Sequence, residues 1–206
     1  MGRRLPDARR AEIQSKLPII AKMKPTILIV PGLRDHVPEH WQTLLEASLP
    51  NAVSVPPLEQ DKLNCGARVA ALDAVIARIG GPVVLVAHSA GVMITVQWAK
   101  RHNRAIHGAL LATPPDFETP LPAGHSSMEV LDQNGWLPVP RTALPFPSIV
   151  AASRNDPLAS FDRVAALASE WGSRLVDLGN VGHLNPAAGY GEWPQAHELI
   201  AELTNR

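Results

Sequence analysis

The stretch Gly81-Pro82-Val83-Val84-Leu85-Val86-Ala87-His88-Ser89-Ala90-Gly91-Val92-Met93 decides how the whole chain reads. Val83 to Val86 is an unbroken run of β-branched and aliphatic residues, the pattern of a strand buried on both faces. Small residues follow, with one serine among them, and the apolar run from Val92 to Ala99 reads as a buried helix. Strand, tight turn with serine, helix is the local geometry of a nucleophile elbow, which holds the serine hydroxyl exposed at the carboxyl end of a sheet. The usual pattern is G-x-S-x-G. Here it is Ala87-His88-Ser89-Ala90-Gly91, with alanine in the first place. Those five residues alone read equally well as an elbow or as an ordinary turn.

Outward from that stretch, strands and helices alternate. Thr26 to Val30 is an apolar strand ended by Pro31-Gly32. A helix is predicted from Pro38, with Trp41, Leu44, Leu45 and Leu49 on one face, and Pro50 stops it. Ala52 to Val55 is a second strand. Val69, Leu72, Val75, Ile76 and Ile79 make an amphipathic helix that Gly80-Gly81 ends. After the opening stretch come strands at Ile106 to Ala112, Ser148 to Ala152 and Arg174 to Leu178. A helix opened by Pro157 presents Leu158, Phe161, Val164, Ala168 and Trp171 on one face, and Gly172 caps it; a last helix starts near Pro194. This alternation predicts an α/β fold of three layers, with a mainly parallel, doubly wound sheet. Between Thr113 and Pro145 the periodicity fails and seven prolines accumulate. A structureless connection that long is uncommon in a compact domain, so it reads as either a lid over a site or a loosely packed excursion, with a short helix near Ser127 to Asp132.

Length and composition bound the rest. A chain of 206 residues fits one domain, read here as residues 25–206 with 113–145 as a lid excursion. Residues 1–24 form a basic tail, in which Arg3, Arg4, Arg9, Arg10, Lys16, Lys22 and Lys24 face only Asp7 and Glu12. Leu17 to Ala21 is too short and proline-broken for a signal peptide, Pro6 breaks the myristoylation pattern, and Met23 is an alternative start. No apolar run spans a membrane. The net charge of zero gives no basic field for nucleic acid. The single cysteine, Cys65, excludes an internal disulfide and points to a reducing, cytoplasmic setting.

In a doubly wound sheet, sites form outside the carboxyl ends of strands. Three chemistry-bearing residues pass that test: Ser89 after the third strand, Asp156 after the fifth in Ser153-Arg154-Asn155-Asp156-Pro157, and His183 after the sixth in Gly182-His183-Leu184-Asn185-Pro186. A hydroxyl is a poor nucleophile at neutral pH; an imidazole in reach takes its proton, and a carboxylate behind the imidazole fixes the tautomer. The order Ser, Asp, His is that of α/β-hydrolases. The plainer alternatives are a helix N-cap for Asp156 and a surface-loop histidine for His183. Backbone N–H donors for an oxyanion are expected from Ala90, next after the serine, and from Leu33 in the loop after the first strand. Arg34 and His36 in that loop are possible substrate contacts, although Arg34 also reads as a partner of Asp35. His36-Val37-Pro38-Glu39-His40 fits an H-x-x-E-H zinc pattern, but Pro38 keeps His36 off the helix, so no metal is expected.

With those residues placed, the chain resembles the small serine hydrolases that include retinoblastoma-binding protein nine and a bacterial branch. The likeness runs from about Thr26 to Leu203. It rests on Pro31-Gly32-Leu33-Arg34-Asp35 with Trp41, Val86-Ala87-His88-Ser89-Ala90-Gly91, Leu144-Pro145-Phe146-Pro147-Ser148, Ser153 to Pro157, and Gly182-His183-Leu184-Asn185 with Gly191-Glu192-Trp193-Pro194. In that family alanine commonly replaces the first elbow glycine. The resemblance implies a compact α/β-hydrolase lacking the first antiparallel hairpin, no cofactor, and Ser89, Asp156 and His183 as nucleophile, acid and base. The expectation is a hydrolase of small carboxylic esters, without nucleic-acid or membrane partners. An amidase, peptidase or thioesterase with the same residues, or a non-catalytic binding protein on the same scaffold, are the rivals.

Overall fold

A computed structural model describes residues 23–205; all but the last two residues of the basic tail lie outside them. Six strands form one wholly parallel sheet in the order β2-β1-β3-β4-β5-β6. They are β1 (Thr26–Val30), β2 (Ala52–Ser54), β3 (Val83–His88), β4 (Gly108–Ala112), β5 (Ser148–Ala152) and β6 (Arg174–Asp177). The helices are α1 (Trp41–Ser48), α2 (Cys65–Arg78), α3 (Ala90–Arg101), α4 (Met128–Gln133), α5 (Phe161–Glu170) and α6 (Gln195–Thr204).

The strands alternate their side chains between two cores, as a period of two dictates. Leu28, Val30, Leu85, Ala87, Ala109, Leu111 and Val150 face α2, α3 and α5. Ile27, Ile29, Val84, Val86, Leu110, Ala112 and Ile149 face α1 and α6. Because both faces are covered, the inner strands carry no polar alternation, which is why β3 reads as one apolar run. Ala87 pairs with Val30 on one side and Leu111 on the other. Its methyl fills the α3 side of the core, so this elbow accommodates alanine where glycine is usual.

The chain leaves β1 toward β2 and leaves β3 toward β4, so the order reverses between β1 and β3. Parallel register sets the carboxyl ends level, with Val30 opposite Ala87, His88 opposite Ala112 and Ala112 opposite Ala151. Loops that end on these residues therefore meet above the reversal point, where ligand crevices of open sheets form.

Three boundaries differ from the sequence expectation. The first helix begins at Trp41 rather than Pro38, because His40 is its N-cap and its Nδ1 accepts the Gln42 N–H at 3.2 Å. The fifth helix begins at Phe161 rather than Pro157, capped by Ser160. β4 starts at Gly108, two residues late. The long β4–β5 connection is not loosely packed. Phe117, Leu131, Trp136 and Val139 are buried in the α3-side core, and the Trp136 and Trp171 indole N–H groups donate to Leu63 O at 2.7 Å and Pro140 O at 2.8 Å. Proline removes periodicity without removing burial, and so the sequence pattern missed this packing.

Gly91 fixes how close α3 comes to β1: a Cβ there would lie 2.1 Å from Val30 O and 2.9 Å from Pro31 O, both backbone atoms. Gly91→Ala is expected to push the helix start off the sheet and to lower the melting temperature by about 5–10 °C, read by thermal denaturation. An unchanged melting temperature would show that the contact relaxes freely.

Candidate active site

Ser89 sits between β3 and α3 with φ 56° and ψ −130°, a positive φ that non-glycine residues seldom adopt. Such a conformation costs about 1–3 kcal/mol and persists only where its surroundings enforce it. Here Ser89 N–H donates to Ala112 O at 3.1 Å and Ser89 O accepts from Val92 N–H at 2.9 Å. Gly32 closes in from the β1 loop: a Cβ on it would stand 3.2 Å from the serine Cβ and 3.5 Å from its Oγ.

The Asp156 and His183 loops are stitched together by residues whose part the sequence did not announce. Ser153 Oγ accepts from Val181 N–H at 3.3 Å, Asn155 Oδ1 accepts from Gly182 N–H at 2.7 Å, and Arg154 N–H donates to Gly179 O at 2.7 Å. Gly182 at φ 57° and Leu184 at φ 48° turn the backbone sharply on both sides of His183. Leu184 is fully buried beneath, so the histidine is held from both directions.

The result brings Ser89, His183 and Asp156 into contact. The Asp156 carboxylate, with its side chain 2% exposed, accepts from His183 Nδ1–H at 2.8 Å (Oδ2) and 3.0 Å (Oδ1). With that proton on Nδ1, Nε2 of the neutral ring accepts from Ser89 Oγ–H at 2.8 Å. Asp156 Oδ1 also accepts from Leu158 N–H at 2.9 Å, so the carboxylate closes a local turn instead of capping a helix. Such an arrangement is able to pass a proton from hydroxyl to imidazole with the imidazole held in one tautomer.

Ser89 opens onto a cavity of about 210 Å³ whose lining includes Leu33, Arg34, Phe117, Leu131 and Leu158. Leu33 and Ala90 both reach it, and neither backbone N–H is engaged by a protein acceptor among the described residues. Arg34 lines it without an acidic partner among the described residues. The expected pairing with Asp35 does not form, because Asp35, at φ 54°, forms a buried ion pair with Arg68 of α2 instead. His36 lies outside the lining and faces Thr43 of α1, Nδ1 to Oγ1 3.5 Å. His40, the second histidine of the zinc-like pattern, is committed to its helix cap, and no cluster of three metal-binding side chains occurs among the described residues. Burial pushes the Cys65 thiol up to about 11 against the pull of Arg101, which leaves it a poor thiolate.

Two site residues escaped the sequence reading. His88 donates from Nε2 to the carbonyl of His183 at 2.8 Å, and its ring lies between those of His183 (5.0 Å) and His40 (4.6 Å). Gln42 Nε2 donates to Val86 O at 2.9 Å and Val30 O at 3.3 Å, joining α1 to β3 and β1. The signal for His88 was its place beside Ser89; Gln42 stood as a polar residue on a buried helix face and had none of its own.

The serine hydrolase family model matches residues 27–202, and the chain belongs to that family. A YdeN-like hydrolase from Pectobacterium atrosepticum shares 29% identity over 94% of this chain and 97% of its own, with a TM-score of 0.74. The ydeN gene product of B. subtilis aligns at 17% identity over 88% of this chain and all of its own (100%), TM-score 0.70. An α/β superfamily hydrolase from Oenococcus oeni aligns at 14% over 89% of this chain and 94% of its own, TM-score 0.63. The last two speak to the fold alone, and all three agree with the α/β-hydrolase fold. No curated protein matches the chain.

Burial, then the charge of His183, lowers the His40 imidazole from 6.5 to about 4, and the same causes hold His88 well below 6.5. Below pH 6.5 the unfolded chain binds protons that the folded one refuses, so stability present above pH 6.5 is lost as pH falls toward 4. Melting temperature is expected to drop across that window. His40→Asn, which keeps a capping acceptor and removes the titration, is expected to flatten the drop; a slope equal to that of the unsubstituted protein would remove His40 as its source.

Proposed function

We propose that the protein is an esterase that cleaves small carboxylic esters through an acyl-enzyme formed on Ser89. The observation that carries this reading is the unbroken contact path from Asp156 through His183 to Ser89, opening on a mainly apolar cavity. Ser89 Oγ attacks the ester carbonyl as His183 Nε2 takes its proton. The carbonyl oxygen, now an anion, accepts from the N–H groups of Ala90 and Leu33. Asp156 stabilises the imidazolium and keeps it oriented. His183 returns the proton to the leaving alkoxide, and the C–O bond breaks to leave the acyl group on Ser89. Water repeats the sequence with His183 as base, releasing the acid and restoring the serine. No step calls for a cofactor.

Several features support this reading over a binding role on the same scaffold. The strain at Ser89 and the close approach of Gly32 serve no purpose in packing that an ordinary turn would not serve. The connection over residues 113–145 acts as a lid, since Pro115, Phe117, Leu121, His125, Ser126 and Leu131 come from it to the cavity. Arg34, a cation at the cavity that no acid among the described residues pairs, is the candidate for a polar substrate contact. The substrate is a small molecule, and nucleic acid has no basic field to engage. A single, buried cysteine, Cys65, agrees with a cytoplasmic setting, and no helix of the described residues is long and apolar enough to cross a membrane.

A fluorophosphonate probe is expected to label the protein once, at Ser89, with Ser89→Ala abolishing labelling in an intact-mass measurement. A wild type that does not react would overturn the enzyme reading. His183→Ala is expected to melt within a few degrees of wild type and to lower kcat on p-nitrophenyl acetate by roughly 10³-fold or more. A variant that unfolds would make His183 a structural residue instead.

A further inference from the structure

The segment Asp116-Phe117-Glu118 alternates direction. Phe117, 3% exposed, turns into the cavity lining and meets Trp136 edge-on, ring centroids 5.3 Å apart. Its two acidic neighbours turn outward to α5. Asp116, itself 3% exposed, accepts from Arg163 Nε at 2.8 Å and Nη2 at 3.1 Å, a two-pronged grip. Glu118 accepts from Arg163 at 3.0 Å and also pairs with Arg141, which stands on the returning limb of the same connection and reaches Glu170 of α5 at 2.6 Å. Both limbs of the connection are thus fastened to one helix. Burial alone would raise the Asp116 carboxyl, but the hydrogen bond from Arg163, that from the Glu118 backbone and the positive charge beside it hold it below the usual carboxylate range.

The backbone continues the fastening inward. Asp116 N–H donates to Leu158 O at 2.9 Å, and Leu158 N–H donates to Asp156 Oδ1 at 2.9 Å. Leu158 lines the cavity as well. One residue therefore links the clamp to the carboxylate that orients His183.

The cavity fits a particular class of acyl group. Its volume is about 210 Å³. It falls short of the ~300 Å³ at which drug-sized sites begin, so it suits a small acyl group rather than a long one. Phe117, Leu121, Leu131 and Leu158 give it an apolar wall; of the charged residues that reach it, Asp35 is spent on Arg68 and Arg34 is left for the polar contact proposed above.

We infer that the substrate carries an apolar acyl chain of intermediate length, and that Phe117, clamped by Asp116 and Glu118 on Arg163 and Arg141, is the wall that sets this length. The inference rests on the acyl-transfer reading of the same site. Phe117 is a specificity-determining residue, and Asp116 and Arg163 are positioning residues that act through it and through Leu158.

The test measures kcat/KM on p-nitrophenyl esters from two to twelve carbons for wild type, Phe117→Ala and Arg163→Gln, with a thermal melt of each. In parallel, calorimetry follows straight-chain carboxylates of four to twelve carbons binding to Ser89→Ala with and without Arg163→Gln, which reads the pocket without any turnover. Wild type is expected to peak at an intermediate length, between two and twelve carbons, in both. Phe117→Ala is expected to change the twelve-to-six-carbon ratio at least tenfold, because one methylene in a fitted pocket is worth roughly 10–200-fold. Arg163→Gln is expected to move the ratio the same way by a smaller factor. If Arg163→Gln fails to fold, Glu118→Gln loosens the clamp from its outer, half-exposed side and is expected to shift the ratio in the same direction. A clamp variant with a lowered melting temperature and an unchanged ratio would make the clamp structural only. A wild-type optimum at two carbons or at twelve would overturn the substrate class. A wild type that turns over no ester would refute the esterase reading, while the calorimetric preference would still uphold or overturn the pocket.

Discussion

The rest of the structure depends on one close approach, that of the first turn of α3 to the end of β1. Gly91 leaves no room for a side chain against Val30 O and Pro31 O. This contact sets the angle at which α3 leaves the sheet, and with it the backbone of Ser89. The serine is then squeezed from three sides, by the α3 turn, by the hydrogen bond to Ala112 O, and by Gly32. A strained residue keeps its conformation only when the alternatives are worse, and here every route to relaxation moves a buried strand or a helix. The strain is held by packing from both sides of the sheet.

A second layer of constraint governs the histidine. Its loop has little regular structure, yet each end of it is tied. Ser153 and Asn155 tie it to the acid loop, Leu184 anchors it in the α6-side core, and His88 holds its carbonyl from the elbow strand. Ser89, Asp156 and His183 thus come from three loops that are tied to one another. His40 and His88 remain neutral beside them, which keeps their charge from opposing an imidazolium on His183.

How much of this was legible in the chain follows from the range of each interaction. Ser89, Asp156 and His183 each carry a local mark: small residues around Ser89, Pro157 after Asp156, Gly182 before His183. The alternation of strands and helices put all three at the same edge of the sheet. What stayed hidden depends on partners distant in sequence. Arg68 takes Asp35 away from Arg34 from thirty-three residues along the chain, and Asp116 meets Arg163 across forty-seven. Helix starts moved by a few residues because the true caps, His40 and Ser160, lie past the prolines that seemed to open the helices. The 113–145 connection was unreadable by period, since prolines erase periodicity while leaving burial intact.

The attachment of that connection bears on how relatives of this protein diversify. It is inserted between β4 and β5, whose pairing runs on without it, so the sheet by itself tolerates exchange of the insert for another. Yet its first limb ends on Leu158, one hydrogen bond from Asp156. A foreign segment grafted at Thr113 and Pro145 would inherit the scaffold but would keep the bond to Leu158 O only if it set a backbone N–H where that of Asp116 stands. New specificities on this framework are therefore reached more readily by changing side chains within the insert than by recombining whole inserts between homologues.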